Sequence, residues 1–203
     1  SMTIPIFFLL LLFVVAFLYA SVGHGGASGY LALMALFSMA PEFMKPTALL
    51  LNLFVSLSSF VLFYKEGHFK WKIFLPFALA SIPFSFLGGM ISLDASIYKK
   101  ILGILLLIPI IRLIAFPNKD NDDLKKSTVF LSLLIGACIG FLSGLIGIGG
   151  GIVLSPVLLL LGWANMKQTA AISALFILVN SIAGISGFLT QGGVLPSASL
   201  VLI

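Results

Sequence analysis

The sequence predicts an all-α, polytopic helical membrane protein built from two homologous repeats, each with a Gly-rich loop and a half-length helix. Three observations lead there. The 203 residues are 61% hydrophobic and only 8% charged, where soluble domains carry about 25% charged residues. Runs without a single Asp, Glu, Lys or Arg cover 4–20, 47–64, 73–93, 101–111, 127–166 and 168–203, and a bilayer-spanning helix needs about 20 such residues. Finally, a glycine-rich break occurs at a corresponding place in each half of the chain.

The first run, 4–20, follows Ser1-Met2-Thr3 without a basic residue. It also outlasts the roughly 7–15 apolar residues of a signal peptide, so it reads as a mature membrane helix. Next comes the break "ASVGHGGASGY" at 20–30 and a short helix at 29–39, then helices at 46–64, 72–92 and 98–116. The charged stretch "RLIAFPNKDNDDLKKS", with its proline and asparagines, reads as a solvated loop. A helix at 127–146 leads into the second break, "GLIGIGGGIVLSP" at 144–156; helices at 152–162 and 168–190 follow, and a last one starts near 197. An eleven-residue helix such as 152–162 covers about 16 Å, half of the roughly 30 Å hydrocarbon core.

The two halves align. "ASVGHGGASGY" at 20–30 matches "GLIGIGGGIVL" at 144–154, and "KPTALLLNLF" at 45–54 matches "KQTAAISALF" at 167–176. The domains are therefore 1–111, a first membrane repeat; 112–126, a charged cytoplasmic linker; and 127–203, a second repeat expected to be incomplete at its C-terminal end. If the short helices are re-entrant, Lys167 shares a side with Lys45, Lys99 and Lys100. If they cross, Lys167 joins Lys65, Lys70, Lys72, Arg112 and the linker lysines, and the repeats are inverted. The excess of cations expected on the cytoplasmic side accepts both arrangements.

Glycine has two uses at membrane depth. Gly136, Gly140 and Gly144 recur every four residues and form one smooth face for close helix contact. Gly149, Gly150 and Gly151 are adjacent, which serves no packing face and weakens a helix by about 1 kcal/mol each, so they read as a break. Hydrocarbon tolerates unpaired backbone only where it lines a cavity or is covered by protein. A helix starting near Ile152 would aim free N–H groups and a partial positive charge into the loop, a place for an anion that needs no Lys or Arg.

The substrate-binding candidates are accordingly Gly23, His24, Gly25, Gly26 and Ser28 in the first loop and Gly147, Gly149, Gly150 and Gly151 in the second. Thr47, Asn52, Thr169, Ser173 and Asn180 join them from the helices that follow the short ones. Ser and Thr hydroxyls in such helices also bond their own carbonyls. Lys45 and Lys167 are expected just outside their helices, where they would draw anions to an entrance or reach for headgroups. No carboxylate lies inside an apolar run, which argues against a proton or sodium relay built from acidic side chains. No catalytic residue, metal or cofactor is expected, and Cys138 stands alone. The lysines and Arg112 fall in connectors, so nucleic acid is not an expected partner. A small anion and membrane lipid are, and a homodimer is compatible with the pattern.

On "GLIGIGGGIVLSPVLLLLGWANMKQTAAISAL" at 144–175 and its divergent copy "YASVGHGGASGYLALMALFSMAPEFMKPTALLLNL" at 19–53, the chain resembles the TauE/SafE sulfite exporter family, also called the toluene sulfonate uptake permease group. The resemblance runs over nearly the whole chain. It implies a plasma-membrane transporter for sulfur-containing anions such as sulfite, thiosulfate or organosulfonates. His24, where the family has an apolar residue, and Ala32, opposite Pro156 of the second copy, depart from the pattern in the first half. Two other readings compete: an anion channel, and a rhomboid-like intramembrane serine protease with Ser28 of "GASG" as nucleophile. The protease needs a histidine on another membrane helix, and the only distant one, His68, lies in the charged loop "YKEGHFKWK".

Overall fold

A computed structural model describes residues 39–115 and 123–195, together with the single positions 6, 10, 14 and 34. Among them the chain forms six helices and no strand: α1 Pro41–Lys65, α2 Trp71–Met90, α3 Ala95–Ala115, α4 Val129–Ile146, α5 Gly151–Leu161 and α6 Met166–Thr190. Four of these, α1, α2, α4 and α6, are long and apolar enough to cross a membrane. The expected helices 4–20 and 29–39, the one starting near 197, most of the linker and the first glycine loop with Gly23, His24, Gly25, Gly26 and Ser28 lie outside the described residues.

The helix bounds follow from local chemistry. α1 starts five residues earlier than the sequence suggests, because Pro41 rather than Pro46 occupies the first turn, where a missing N–H costs nothing. Lys45 therefore lies inside the helix, not before it. Likewise Lys167 is the second residue of α6, whose start is fixed by a capping box: Asn165 Oδ1 accepts from the Gln168 amide at 2.9 Å and Gln168 Oε1 from the Asn165 amide at 3.2 Å, a reciprocal cap. α5 ends at Gly162, left-handed at φ 69°.

α2 packs against both α4 and α6, which also touch each other; α1 lies against α6, and α5 is held between α6 and α3. Small residues set the closeness. A Cβ on Gly136 would stand 2.5 Å from the Phe77 carbonyl oxygen, and one on Gly140 or Gly144 would overlap the carbonyls of Ser81 and Ser85 one and two turns on. The expected smooth face of α4 is thus the seam with α2. Gly89 and Gly187 make a second seam, meeting Gly184 and Phe86 across the α2–α6 contact.

Two apolar clusters fill the bundle. One gathers Phe43, Met44, Leu51, Tyr98, Leu145 and Ile146; the other gathers Phe74, Phe77, Leu154, Leu158, Trp163 and Phe176. The second lies at the end where α1 turns into α2. There the Lys125 amide donates to the Gly162 carbonyl at 2.8 Å, and Arg112 Nη2 sits 3.6 Å from the sulfur of Met166. α5 therefore returns to the end where α4 began, and Lys167 shares that end with Arg112 and Lys125, the crossing arrangement for this short helix. At the opposite end Gln191 Nε2 donates to Ser92 Oγ at 3.0 Å.

Candidate functional site

α4 stops at Ile146 because Gly147 turns left-handed, φ 97°, its amide closing on the Ser143 carbonyl at 2.7 Å. Gly149 and Gly150 are left-handed too, φ 75° and 84°, a conformation that costs an L-residue roughly 1–2 kcal/mol. α5 then begins at Gly151, with the amides of Val153 and Leu154 bonded to the Gly150 carbonyl at 3.1 and 2.9 Å. Among the described residues the amides of Gly149, Gly150, Gly151 and Ile152 find no acceptor. Four successive donors at the positive end of a helix are a grouping able to bind an anion.

The walls around this loop are close. A Cβ at Gly149 would come 2.6 Å from Ile177 Cγ2 and 3.0 Å from Asn52 Nδ2; one at Gly150 would come 2.7 Å from the Phe176 ring and 2.8 Å from Ile139 Cγ2. On the other side the loop rests on α1, with a Gly147 Cβ 3.0 Å from the Lys45 carbonyl oxygen. The loop lies where the two apolar clusters meet, since Ile148 and Ile152 belong to one and Leu154 to the other.

Of the polar candidates, Asn52 is the one brought directly to the loop. Fully buried, it donates from Nδ2 to the Gly147 carbonyl at 3.4 Å, while Oδ1 has no hydrogen-bond partner among the described residues. Ser173 reaches the start of α5 indirectly: its hydroxyl meets Ser155 Oγ at 2.9 Å, and Ser155 donates to the Gly151 carbonyl at 2.8 Å. Asn180, one turn beyond Phe176, spends Nδ2 on the Phe176 carbonyl at 2.8 Å, while its own carbonyl accepts from Ser85 at 2.7 Å. Thr47 and Thr169 are buried, and their hydroxyls have no hydrogen-bond partner among the described residues. The same holds for Ser143, which sequence reasoning missed, and for Ser181. Ser143 sits one residue before Gly144 on α4, inside a stretch that reads as a packing face, so only its burial reveals it.

Lys45 is a correction. It neither reaches for headgroups nor stands free at an entrance: the side chain is buried, and Nζ donates to the carbonyls of Gly88, Gly89 and Ile91 at 3.2, 3.0 and 2.9 Å. These carbonyls stand at the negative end of α2, where an ammonium is a natural partner; the Gly88 carbonyl also accepts from the Ile91 amide at 3.2 Å. Tyr98 performs the same service for α4 by donating to the Ile146 carbonyl. Lys167, at the aligned position, is exposed. His68, the histidine considered for a protease, is on the α1–α2 turn with Nε2 3.5 Å from Glu66.

Comparison with known proteins supplies the rest. The family model described as sulfite exporter TauE/SafE matches residues 8–203. A probable membrane transporter protein of Sinorhizobium fredii is 40% identical over 91% of this chain and 76% of its own length. A probable membrane transporter protein of Methanocaldococcus jannaschii is 32% identical over 67% of the chain and 53% of its own. A third, of Bacillus subtilis, is 27% identical over 91% and 78%. No solved structure matches. With four apolar helices of spanning length and a family match over nearly its whole extent, this multi-pass cell-membrane protein belongs to the sulfite exporter TauE/SafE family of membrane transporters.

Proposed function

We propose that the protein moves small sulfur-containing anions, of the sulfite, thiosulfate or organosulfonate class, outward across the plasma membrane. The observation that carries this reading is the row of four amides from Gly149 to Ile152 without an acceptor among the described residues, set inside the bundle beside the buried amide of Asn52. Backbone donors at a broken helix suit an oxyanion and need no lysine. The sulfite exporter family to which the chain belongs suggests the sulfur chemistry. The aligned first loop contributes a second set of donors in this proposal, and the two repeats rock against each other about the site.

Export needs no coupling ion. Each negative charge moving out of an inside-negative cell gains about 2.3 kcal/mol per 100 mV, and a dianion about twice that. The linker end, with Lys65, Lys70, Lys72, Arg112, Lys125, Lys126 and Lys167, is the cytoplasmic face in this reading, since Lys45, Lys99 and Lys100 stand at the other.

The test is uptake into proteoliposomes of radiolabelled sulfite, competed by thiosulfate, sulfate, acetate and an organosulfonate. Saturable flux, inhibited by the sulfur anions and lost in Gly149→Leu and Gly150→Leu variants that still insert, is the expected result. Normal flux in those variants would refute the site, and single-channel currents in a planar bilayer would replace the carrier by a channel.

A further inference from the structure

The turn joining α1 to α2 is cationic and aromatic, and transport makes no use of it. Phe69 is its centre, with ring centroids 5.3 Å from Phe60, 5.9 Å from Tyr64, 4.8 Å from Trp71 and 5.3 Å from Phe74. The backbone is fixed as well: Gly67 is left-handed at φ 78°, its amide bonds the Tyr64 carbonyl at 3.0 Å, and the His68 amide bonds the Phe63 carbonyl at 3.3 Å. Lys65, Lys70 and Lys72 emerge from this rigid turn, all exposed. The turn's single carboxylate, Glu66, is beside His68 at 3.5 Å, and among the described residues no carboxylate pairs with any of the three lysines.

We propose that this turn is a binding surface for the headgroup of an anionic phospholipid, phosphatidylglycerol being the type. Its rings place it at headgroup depth. Tyr64 and Trp71 are 47% and 50% exposed at the ends of two apolar spans, where amphipathic rings settle at the membrane–water boundary. The unpaired ammonium groups then face the phosphates, and a lysine near an anionic leaflet contributes roughly a fivefold preference. Because the ring contacts hold the backbone, the three charges are presented together rather than on a loose loop, which favours one headgroup over diffuse attraction.

Trp71 is the reporter. The protein is reconstituted in vesicles with acyl-brominated phosphatidylglycerol or phosphatidylcholine, and quenching of tryptophan fluorescence gives the relative affinity of each lipid. The expected result is a preference for phosphatidylglycerol of about tenfold or more, bounded by the roughly hundredfold of three lysines at about fivefold each. It falls toward unity in a Lys65→Gln, Lys70→Gln, Lys72→Gln triple variant and returns with arginine at the same positions, while Trp71→Phe, which leaves only the buried Trp163, gives the background quenching to subtract. Equal quenching by both lipids in the unaltered protein, or an undiminished preference in the glutamine variant, overturns the proposal. Neither measurement depends on transport.

Discussion

Asn52 joins α1 to the Gly147 carbonyl through one amide hydrogen and leaves its oxygen without a hydrogen-bond partner among the described residues. A buried acceptor in that state costs about 1–3 kcal/mol. Asn52→Ala removes both the donor to Gly147 and the amide beside the proposed anion site; if that site carries sulfite, we expect at least a tenfold loss of sulfite flux with a melting temperature in detergent only a few degrees lower. Wild-type flux would remove Asn52 from the site. The glycines give a sharper contrast. Gly149→Ala meets a left-handed backbone and Ile177 together, costing about 1–2 kcal/mol for conformation and about 1–3 for overpacking. Gly103, exposed on α3 with nothing within 4 Å of an added Cβ, should accept alanine and gain about 1 kcal/mol of helix stability. Thermal melting of the two variants against the parent checks both signs.

Elements show where the sequence was readable and where it was not. Among the described residues, helix extents were legible to within five residues, since lipid demands long apolar runs, and the four-residue spacing of Gly136, Gly140 and Gly144 announced a seam that α2 fills. The partner seam was not announced, because Gly89 and Gly187 carry no such spacing along one helix and acquire meaning only when α2 meets α6. Lys45 was misread for the same reason: its three carbonyl partners lie more than forty residues away, and a lysine before a proline looks like an interfacial residue. The direction of α5 was equally hidden, because an eleven-residue helix satisfies both a re-entrant and a crossing path until its neighbours are known. Lys45→Met tests the reassignment. It leaves the Gly89 and Ile91 carbonyls without their partner, the Gly88 carbonyl keeping the Ile91 amide, at about 1–3 kcal/mol for each group left unsatisfied, so the variant should melt well below the parent. A lysine that merely attracted anions would lower flux and leave melting unchanged.

For the whole molecule, cations divide unevenly between the ends of the bundle, and that division predicts an orientation that can be measured. The contacts of Lys125 with Gly162 and of Arg112 with Met166 bring the linker, the α5–α6 turn and the end of α3 together, while the Lys45–α2 cap and the start of α3 lie at the far end. In a Cys138→Ser background, which removes the chain's one cysteine, single cysteines at exposed positions report the side of each end. Lys70→Cys, Lys125→Cys and Lys167→Cys should react with a membrane-impermeant maleimide only after the cells are permeabilised, and Lys100→Cys should react in intact cells. The variant at Lys167 decides the path of α5. If it labels together with Lys100, the short helix is re-entrant and the glycine loop opens toward a different face from the one its contacts imply. If it labels with Lys70 and Lys125, α5 begins about half-way through the roughly 30 Å core and runs to the cytoplasm, leaving its free amides at a depth that an anion reaches only through the protein.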